Sequence, residues 1–202
     1  MITLDEVASI DKDTIPSRAL SLQQEDIPFL VGLLKEKDDN LRYHALLLLQ
    51  NRSRSHNDVY PFWDTLTDMF SSSNSYHRSI GLMLIADNVQ WDQAGKFDSL
   101  VDAYLDFVND EKPITVRQCV QSLVKIIPHK QHLIAKIQDK LLNIDLSARK
   151  ETQQKILLMD ILSVFAVARR YQKDDRVEKY IVSAMTGGVL DKKARAEIEK
   201  LL

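Results

Sequence analysis

The chain has 202 residues, enough for one large domain and too few for two of ordinary size. Hydrophobic residues make up 45% of it and charged residues 28%, as in ordinary globular proteins. No apolar run approaches the roughly 18 residues of a membrane span, and the acidic first residues lack the apolar core of a secretory signal. The single cysteine, Cys119, excludes an internal disulfide and fits a reducing compartment. We therefore expect a cytoplasmic protein that does not contact the membrane.

The charge is distributed unevenly along the chain. Residues 1–101 hold nine Lys and Arg against fifteen Asp and Glu, whereas residues 112–170 hold eleven against four. The basic segment could attract an acidic partner, including nucleic acid. It could equally pair with the acidic half of a second copy, so a homodimer formed through 1–101 and 112–170 is one alternative.

From the amino terminus onward, the sequence predicts helices. Residues 1–24 contain short polar segments that we expect to form an N-terminal cap. Apolar residues then recur at helical spacing in eight segments with short polar turns between them, and no segment sustains the alternation of a strand. These segments are 26–37, 41–50, 60–70, 76–89, 97–108, 114–127, 133–144 and 153–167. Residues 171–202 predict a C-terminal cap whose last helix is N-capped by Asp191.

The eight segments form four pairs that repeat along the chain. A basic residue near the start of each second segment marks the repeat, at intervals of 36, 39 and 38 residues: Arg42, Arg78, Arg117 and Lys155. Apolar or small residues follow each marker at three, six and seven positions, which form one stripe of a helix. A residue as small as Gly81 in this stripe would let two helices approach closely. Repeats of this length predict stacked helix pairs.

The stretch "LLKEKDDNLRYHAL", residues 33–46, resembles the HEAT-repeat pattern of a leucine-rich helix, an Asp-bearing turn and an apolar–Arg start to the second helix. The resemblance covers roughly residues 25–170. It implies an all-α, right-handed α-solenoid of about four helix pairs with capping helices, in one domain spanning 1–202. In that family the turn carboxylate and the arginine form a ladder between repeats. The candidates here are Asp38 or Asp39 with Arg42, and Asp110 or Glu111 with Arg117.

The sequence contains no motif for catalysis, metal binding or cofactor binding. His129 and His132 are three residues apart, but no third ligand stands at a supporting spacing. Cys119 lies between apolar neighbours, which predicts a buried small side chain rather than a nucleophile. No glycine-rich phosphate loop is present. We therefore expect no enzyme activity, no cofactor and no metal.

Two other resemblances suggest different functions. HEAT-like DNA alkylation-repair glycosylases are similar in fold pattern and hold the damaged nucleotide with Trp, Asp and Arg in a basic groove. In this chain neither Trp63 nor Trp91 is followed by an Asp one helical turn later, and the pI of about 6.2 is low for a DNA-binding domain. The layout also resembles accessory factors of iron–sulfur assembly, but one cysteine gives that alternative no chemical support.

The second helices of the pairs predict a binding surface. In a HEAT-like stack, residues one, five and eight positions after each marker would line a concave face. The predicted partner-binding residues are Tyr43, Gln50, Ser79, Met83, Gln118, Ser122, Lys125 and Asp160. Polar groups mixed with exposed apolar ones suit a protein partner better than phosphate. We therefore expect a non-enzymatic protein-interaction module or adaptor, with nucleic-acid binding as the alternative.

Overall fold

The computed structural model describes residues 1–202, and 73% of them are helical. Twelve α-helices and no strand are present, which confirms the all-α prediction. The chain forms two compact units, Met1–Lys96 and Phe97–Leu202. None of the helices has both the length and the apolar character needed to cross a membrane.

The first unit is built around two long helices. Its helices are α1 Leu4–Ser9, α2 Ile15–Ser21, α3 Ile27–Leu33, α4 Asp39–Ser53, α5 Trp63–Asp68 and α6 Ser75–Asn88. Helix α4 packs against α1, α2, α3 and α6, and α5 packs on α6. Fully buried side chains such as Leu30, Leu48 and Leu84 form the core between these helices. The long second helices of the pairs therefore supply most of the shared apolar surface.

Each long helix of this unit begins at a side chain that caps it. The Asp38 carboxylate accepts hydrogen bonds from the backbone N–H groups of Asn40 at 2.8 Å and Leu41 at 3.0 Å. The Asn74 side chain accepts from the N–H of Tyr76 at 2.9 Å. These oxygens satisfy N–H groups that have no partner inside the helix. The turn before α6 contains no acidic residue, and Asn74 caps that helix instead.

The first helices of the pairs are shorter than the sequence predicts. Helix α3 has seven residues and α5 has six. The rest of the predicted segment around α5 forms 3-10 turns, Tyr60–Phe62 before it and Met69–Ser71 after it. Apolar spacing over a single turn does not distinguish a 3-10 helix from an α-helix, and helix ends commonly tighten in this way.

Helices α5 and α6 approach each other closely at Gly81. A Cβ atom at this position would lie 2.8 Å from the carbonyl oxygen of Leu66 and 3.1 Å from the Phe70 ring. The space between the two helices therefore accommodates only glycine without movement of α5 or α6. This agrees with the role predicted for the small residue in the repeat.

Asp26 connects the amino terminus to the start of α3. Its carboxylate accepts hydrogen bonds from the backbone N–H of Ile2 at 2.6 Å and of Gln23 at 2.8 Å, and the residue is 4% exposed. Burial alone would raise the pKa of Asp26, but these two donors hold the pKa below its ordinary value.

Arg52 connects α4 to α2 and to the following loop. Its guanidinium donates to the Asp58 carboxylate at 2.7 and 3.0 Å and to the carbonyl oxygens of Ala19 and Leu20 at 3.3 and 3.2 Å. The side chains of Arg52 and Asp58 are only 7% and 10% exposed. A buried charge of this kind is tolerated because its hydrogen bonds are satisfied.

The second unit is centred on α10. Its helices are α7 Lys96–Leu105, which starts at the last residue of the first unit, α8 Pro113–Ile126, α9 Ile134–Leu142, α10 Glu151–Ala168, α11 Asp175–Thr186 and α12 Lys192–Glu199. Helix α10 contacts α8, α9, α11 and α12. The Asp191 carboxylate accepts from the N–H of Ala194 at 2.8 Å, so the predicted N-cap of the last helix is confirmed.

One buried side chain of the second unit lacks hydrogen bonds. Gln138 on α9 is completely buried, and neither its amide oxygen nor its amide nitrogen has a partner. An amide buried in this way reduces stability, because it has lost its bonds to water without replacement.

A row of ion pairs joins α7 to α9. Three aspartates spaced four residues apart, two on α7 and Asp106 in the 3-10 turn that follows it, each face a basic residue near or on α9. The pairs are Asp98 with Lys130 and His132, Asp102 with Lys136, and Asp106 with Lys140. Lys130 and then His132 hold the pKa of Asp98 below its ordinary value. Three of the eleven basic residues noted in 112–170 are therefore balanced within the folded unit.

The predicted helix pairs are recognisable in these contacts. Helix α3 contacts α4, α5 contacts α6, and α9 contacts α10, while α8 contacts the 3-10 turn that ends α7. The second helices of neighbouring pairs also pack on each other, α4 on α6 and α8 on α10. The arrangement of all pairs in one right-handed solenoid stays a prediction.

Candidate functional site

Two of the repeat-marking arginines close the turn inside their own helix pair. Nη1 of Arg42 donates to the Glu36 carbonyl at 2.7 Å, and Nη1 of Arg78 donates to the Ser72 carbonyl at 2.9 Å, each six residues earlier in the chain. Arg42 also pairs with Asp39, as predicted, but the contact lies within one pair rather than between neighbouring repeats. Both arginines are at most 8% exposed, so they act in packing the turn.

The third marker, Arg117, makes a different contact. Its Nε and Nη2 atoms donate to the two carboxylate oxygens of Asp160 on α10, at 2.7 and 3.2 Å. Gln121, one turn later on α8, donates to the same carboxylate at 2.9 Å. Asp160 in the next helix pair therefore takes the place that the HEAT-like pattern gives to Asp110 or Glu111. This pair joins α8 to α10.

The eight predicted partner-binding residues lie at different depths. Two are exposed, Tyr43 and Lys125, and three are partly exposed, Gln50, Met83 and Gln118. The remaining three are at most 8% exposed: Ser79, Ser122 and Asp160. Those three side chains are buried in the fold, so the surface proposed below leaves them out. The residues also divide between the two units, four in each.

A cavity that was not predicted opens between the amino-terminal ends of α8 and α10. Its volume is about 240 Å³, and most of its wall is apolar, formed by Ile114, Val116, Ile156 and Leu157. Ile114 and Ile156 are 43% and 40% exposed, although both are large aliphatic side chains. An exposed apolar group beside a cavity marks a surface on which a partner can bury area.

Two arginines complete the wall of this cavity, Arg117 and Arg149. Arg117 is engaged by Asp160, as described above. Arg149 is half-buried, and its side chain makes one hydrogen bond, from Nη2 to the Val108 carbonyl at 2.7 Å. No carboxylate pairs with the Arg149 guanidinium, whose one hydrogen bond is to a backbone carbonyl.

The ends of the two helices add to the positive potential around the cavity. The N-cap residues of α8 and α10 are Lys112 and Lys150, and neither side chain caps its helix. Unpaired N–H groups at a helix start carry a partial positive charge. Together with Arg149, they favour an anionic group at the rim over a cationic one.

The side chains considered for other chemistries have structural roles. Cys119 is fully buried, its Sγ lies 3.2 Å from the Tyr104 carbonyl, and burial raises the pKa of its thiol far above the ordinary value. Trp63 is 3% exposed, and the indole N–H of Trp91 donates to the Ser53 carbonyl at 2.8 Å. No group of three or more His, Cys, Asp or Glu side chains is placed to hold a metal ion.

Few features of the sequence indicated the cavity. Arg149 stands in the loop before α10, where no helical period shows which way a side chain points. The only signal was a basic pair, Arg149 and Lys150, directly before an apolar helix. Ile156, one position after the marker Lys155, belongs to the predicted concave face, whereas the repeat pattern did not place Ile114 at the surface.

Comparison with known proteins provides no assignment. No protein-family model matches the chain, and no curated protein matches it at a significant level of similarity. The resemblance to HEAT repeats therefore rests on the sequence pattern alone.

Proposed function

We propose that the chain is a non-enzymatic protein-interaction module that binds a partner protein at the cavity between α8 and α10. The observation that supports this most directly is the apolar cavity with two exposed isoleucines, Ile114 and Ile156, at its edge. Covering these side chains removes apolar surface from water, which is the main favourable term in protein association. The module is proposed to be a HEAT-like adaptor of the cytoplasm.

The size of the cavity favours a protein over a small molecule. Pockets for drug-sized ligands have volumes of roughly 300–1,000 Å³, and this one has about 240 Å³. It suits a large side chain presented by a partner, with further contacts on the surface around it. Gln118 of the same unit is proposed as an additional contact point, and Tyr43 and Met83 are proposed as separate contact points on the first unit.

Nucleic-acid binding has less support. Three of the basic residues that would have to contact phosphates are paired with carboxylates: Arg117 with Asp160, Lys155 with Asp191, and Arg169 with Glu178. The Lys136 and Lys140 side chains are likewise paired, with Asp102 of α7 and with Asp106 of the turn after it. Phosphate binding relies on cations that are free to replace counterions, and these pairs reduce their number.

The test is affinity purification from lysate with the purified chain as bait, followed by quantitative mass spectrometry. We expect the variant Ile114→Ser/Ile156→Ser to lose a specific subset of the proteins captured by wild type. The matched control is Val182→Ser/Val189→Ser, which removes two apolar side chains that are 62% and 41% exposed in the same unit, away from the cavity wall. This control should retain the partners.

A second arm tests the other proposed contact points. The variant Tyr43→Ala/Met83→Ala/Gln118→Ala reports whether the faces predicted from the sequence also contribute. Partner lists that are the same for wild type and the isoleucine variant would refute the cavity as the contact site. Circular dichroism of each variant verifies that the helix content is unchanged.

A further inference from the structure

We infer that the cavity between α8 and α10 takes a peptide segment of a partner protein in which a large apolar side chain stands next to a carboxylate. The apolar side chain enters the cavity, and the carboxylate binds the Arg149 guanidinium. The inference rests on the proposed function and specifies the chemistry of the partner.

The apolar part of the inference follows from the cavity wall. Val116 and Leu157 are 2% and 3% exposed and form the buried part of the wall, while Ile114 and Ile156 stand at the rim. A side chain that enters the cavity therefore contacts aliphatic groups on both helices. Leu, Ile, Met and Phe fulfil this requirement, whereas a charged side chain would lose its hydration without compensation.

The carboxylate part follows from the difference between the two arginines. The Arg117 guanidinium already has the Asp160 carboxylate on its Nε and Nη2 atoms. Arg149 is the arginine of the wall that lacks a carboxylate partner. A guanidinium binds a carboxylate through charge-assisted hydrogen bonds. The uncapped starts of α8 and α10 favour the same sign of charge.

The experiment is a selection from a random-dodecamer phage library on the full-length chain, followed by fluorescence anisotropy with the enriched peptides. We expect the enriched sequences to share an Asp or Glu adjacent to a large apolar residue. Ile156→Ser should weaken these peptides by at least about tenfold. The control Val182→Ser should bind them as wild type does.

A double comparison isolates the role of Arg149. Replacing the acidic residue of the peptide by its amide should weaken binding to wild type by about tenfold, the size of one charge-assisted hydrogen bond that is partly exposed. Binding to Arg149→Gln should be insensitive to the same replacement. A purely structural role of Arg149 would weaken both peptides equally and leave their ratio unchanged, which would overturn the carboxylate contact.

The remaining outcomes are also decisive. Failure to enrich any peptide, enrichment of basic peptides, or enriched peptides that bind Ile156→Ser as tightly as wild type would overturn the inference. If the lysate experiment shows partners that depend on Ile114 and Ile156 but the peptide ratio does not depend on Arg149, the proposed function stands and only the partner chemistry fails. A partner list that is independent of the isoleucines would count against both.

Discussion

Gly81 provides a direct test of the packing between α5 and α6. In Gly81→Ala the new methyl group lies 2.8 Å from a backbone oxygen, that of Leu66, and 3.1 Å from two atoms of the Phe70 ring. A backbone atom cannot move without its helix, so the strain should be near the upper end of the usual overpacking cost, about 3 kcal/mol. Alanine is intrinsically better than glycine inside a helix by about 1 kcal/mol. The expected net loss is about 2 kcal/mol.

Gly32→Ala is the matched control, because Gly32 lies in the same unit and in a helix. No atom lies within 4 Å of a Cβ built at this position, and the residue is exposed. Only the gain in helix preference should remain there, about 0.5 kcal/mol, since the site is near the end of α3. The same substitution is therefore expected to have opposite signs at the two positions.

Urea denaturation followed by far-UV circular dichroism measures both changes. We expect a lower midpoint for Gly81→Ala and a slightly higher one for Gly32→Ala, with unchanged slopes. In thermal unfolding the loss corresponds to a Tm lower by about 4–8 °C. A Gly81→Ala variant as stable as wild type would show that α5 and α6 are not held this close, and the reasoning would be refuted.

Three further substitutions test buried polar groups. Arg52→Met should destabilise the first unit by about 3–5 kcal/mol, because the Asp58 carboxylate would remain buried without its guanidinium; the double variant with Asp58→Asn should recover part of the loss in urea denaturation. Gln138→Leu should stabilise the second unit by about 1–2 kcal/mol, because neither amide atom has a partner to lose; a lower unfolding midpoint would contradict this. Asp26→Asn should reduce stability at neutral pH. Since the folded-state pKa of Asp26 is depressed, its contribution is present above the unfolded pKa and is lost as the pH falls through the folded value, so denaturation curves of wild type and variant should converge in acid.

The features that the sequence predicted well are local ones. The helical periodicity and the N-cap at Asp191 each depend on neighbours within one or two helical turns. The pairing of Arg42 with Asp39 is also a contact across three residues. Such relations follow from helix geometry and need no knowledge of how helices pack.

The features that were missed depend on contacts between distant helices. Arg117 and Asp160 are 43 residues apart, and their pairing requires the register of α8 on α10. Ser79 and Ser122 lie where the repeat pattern predicts an open face, yet both are buried. A small hydroxyl side chain can either fit under a neighbouring helix or face water, so the residue type did not predict the burial of these two serines. For Ile156, the repeat pattern predicted a position on the open face, but it did not predict that this side chain would border a cavity with α8.

The row of ion pairs between α7 and α9 bears on how the chain selects one helix register. Its members recur every four residues, and a shift of α9 by four residues, about 6 Å, would still place Lys136 opposite Asp98 or Asp106. The exposed pairs alone therefore tolerate a misaligned state, as repeating charges do in other helical assemblies. Lys130 breaks this equivalence, because it is 6% exposed and its Nζ lies 2.7 Å from Asp98. A four-residue shift would separate this buried cation from that carboxylate, so the correct alignment is selected at the amino-terminal end of the row.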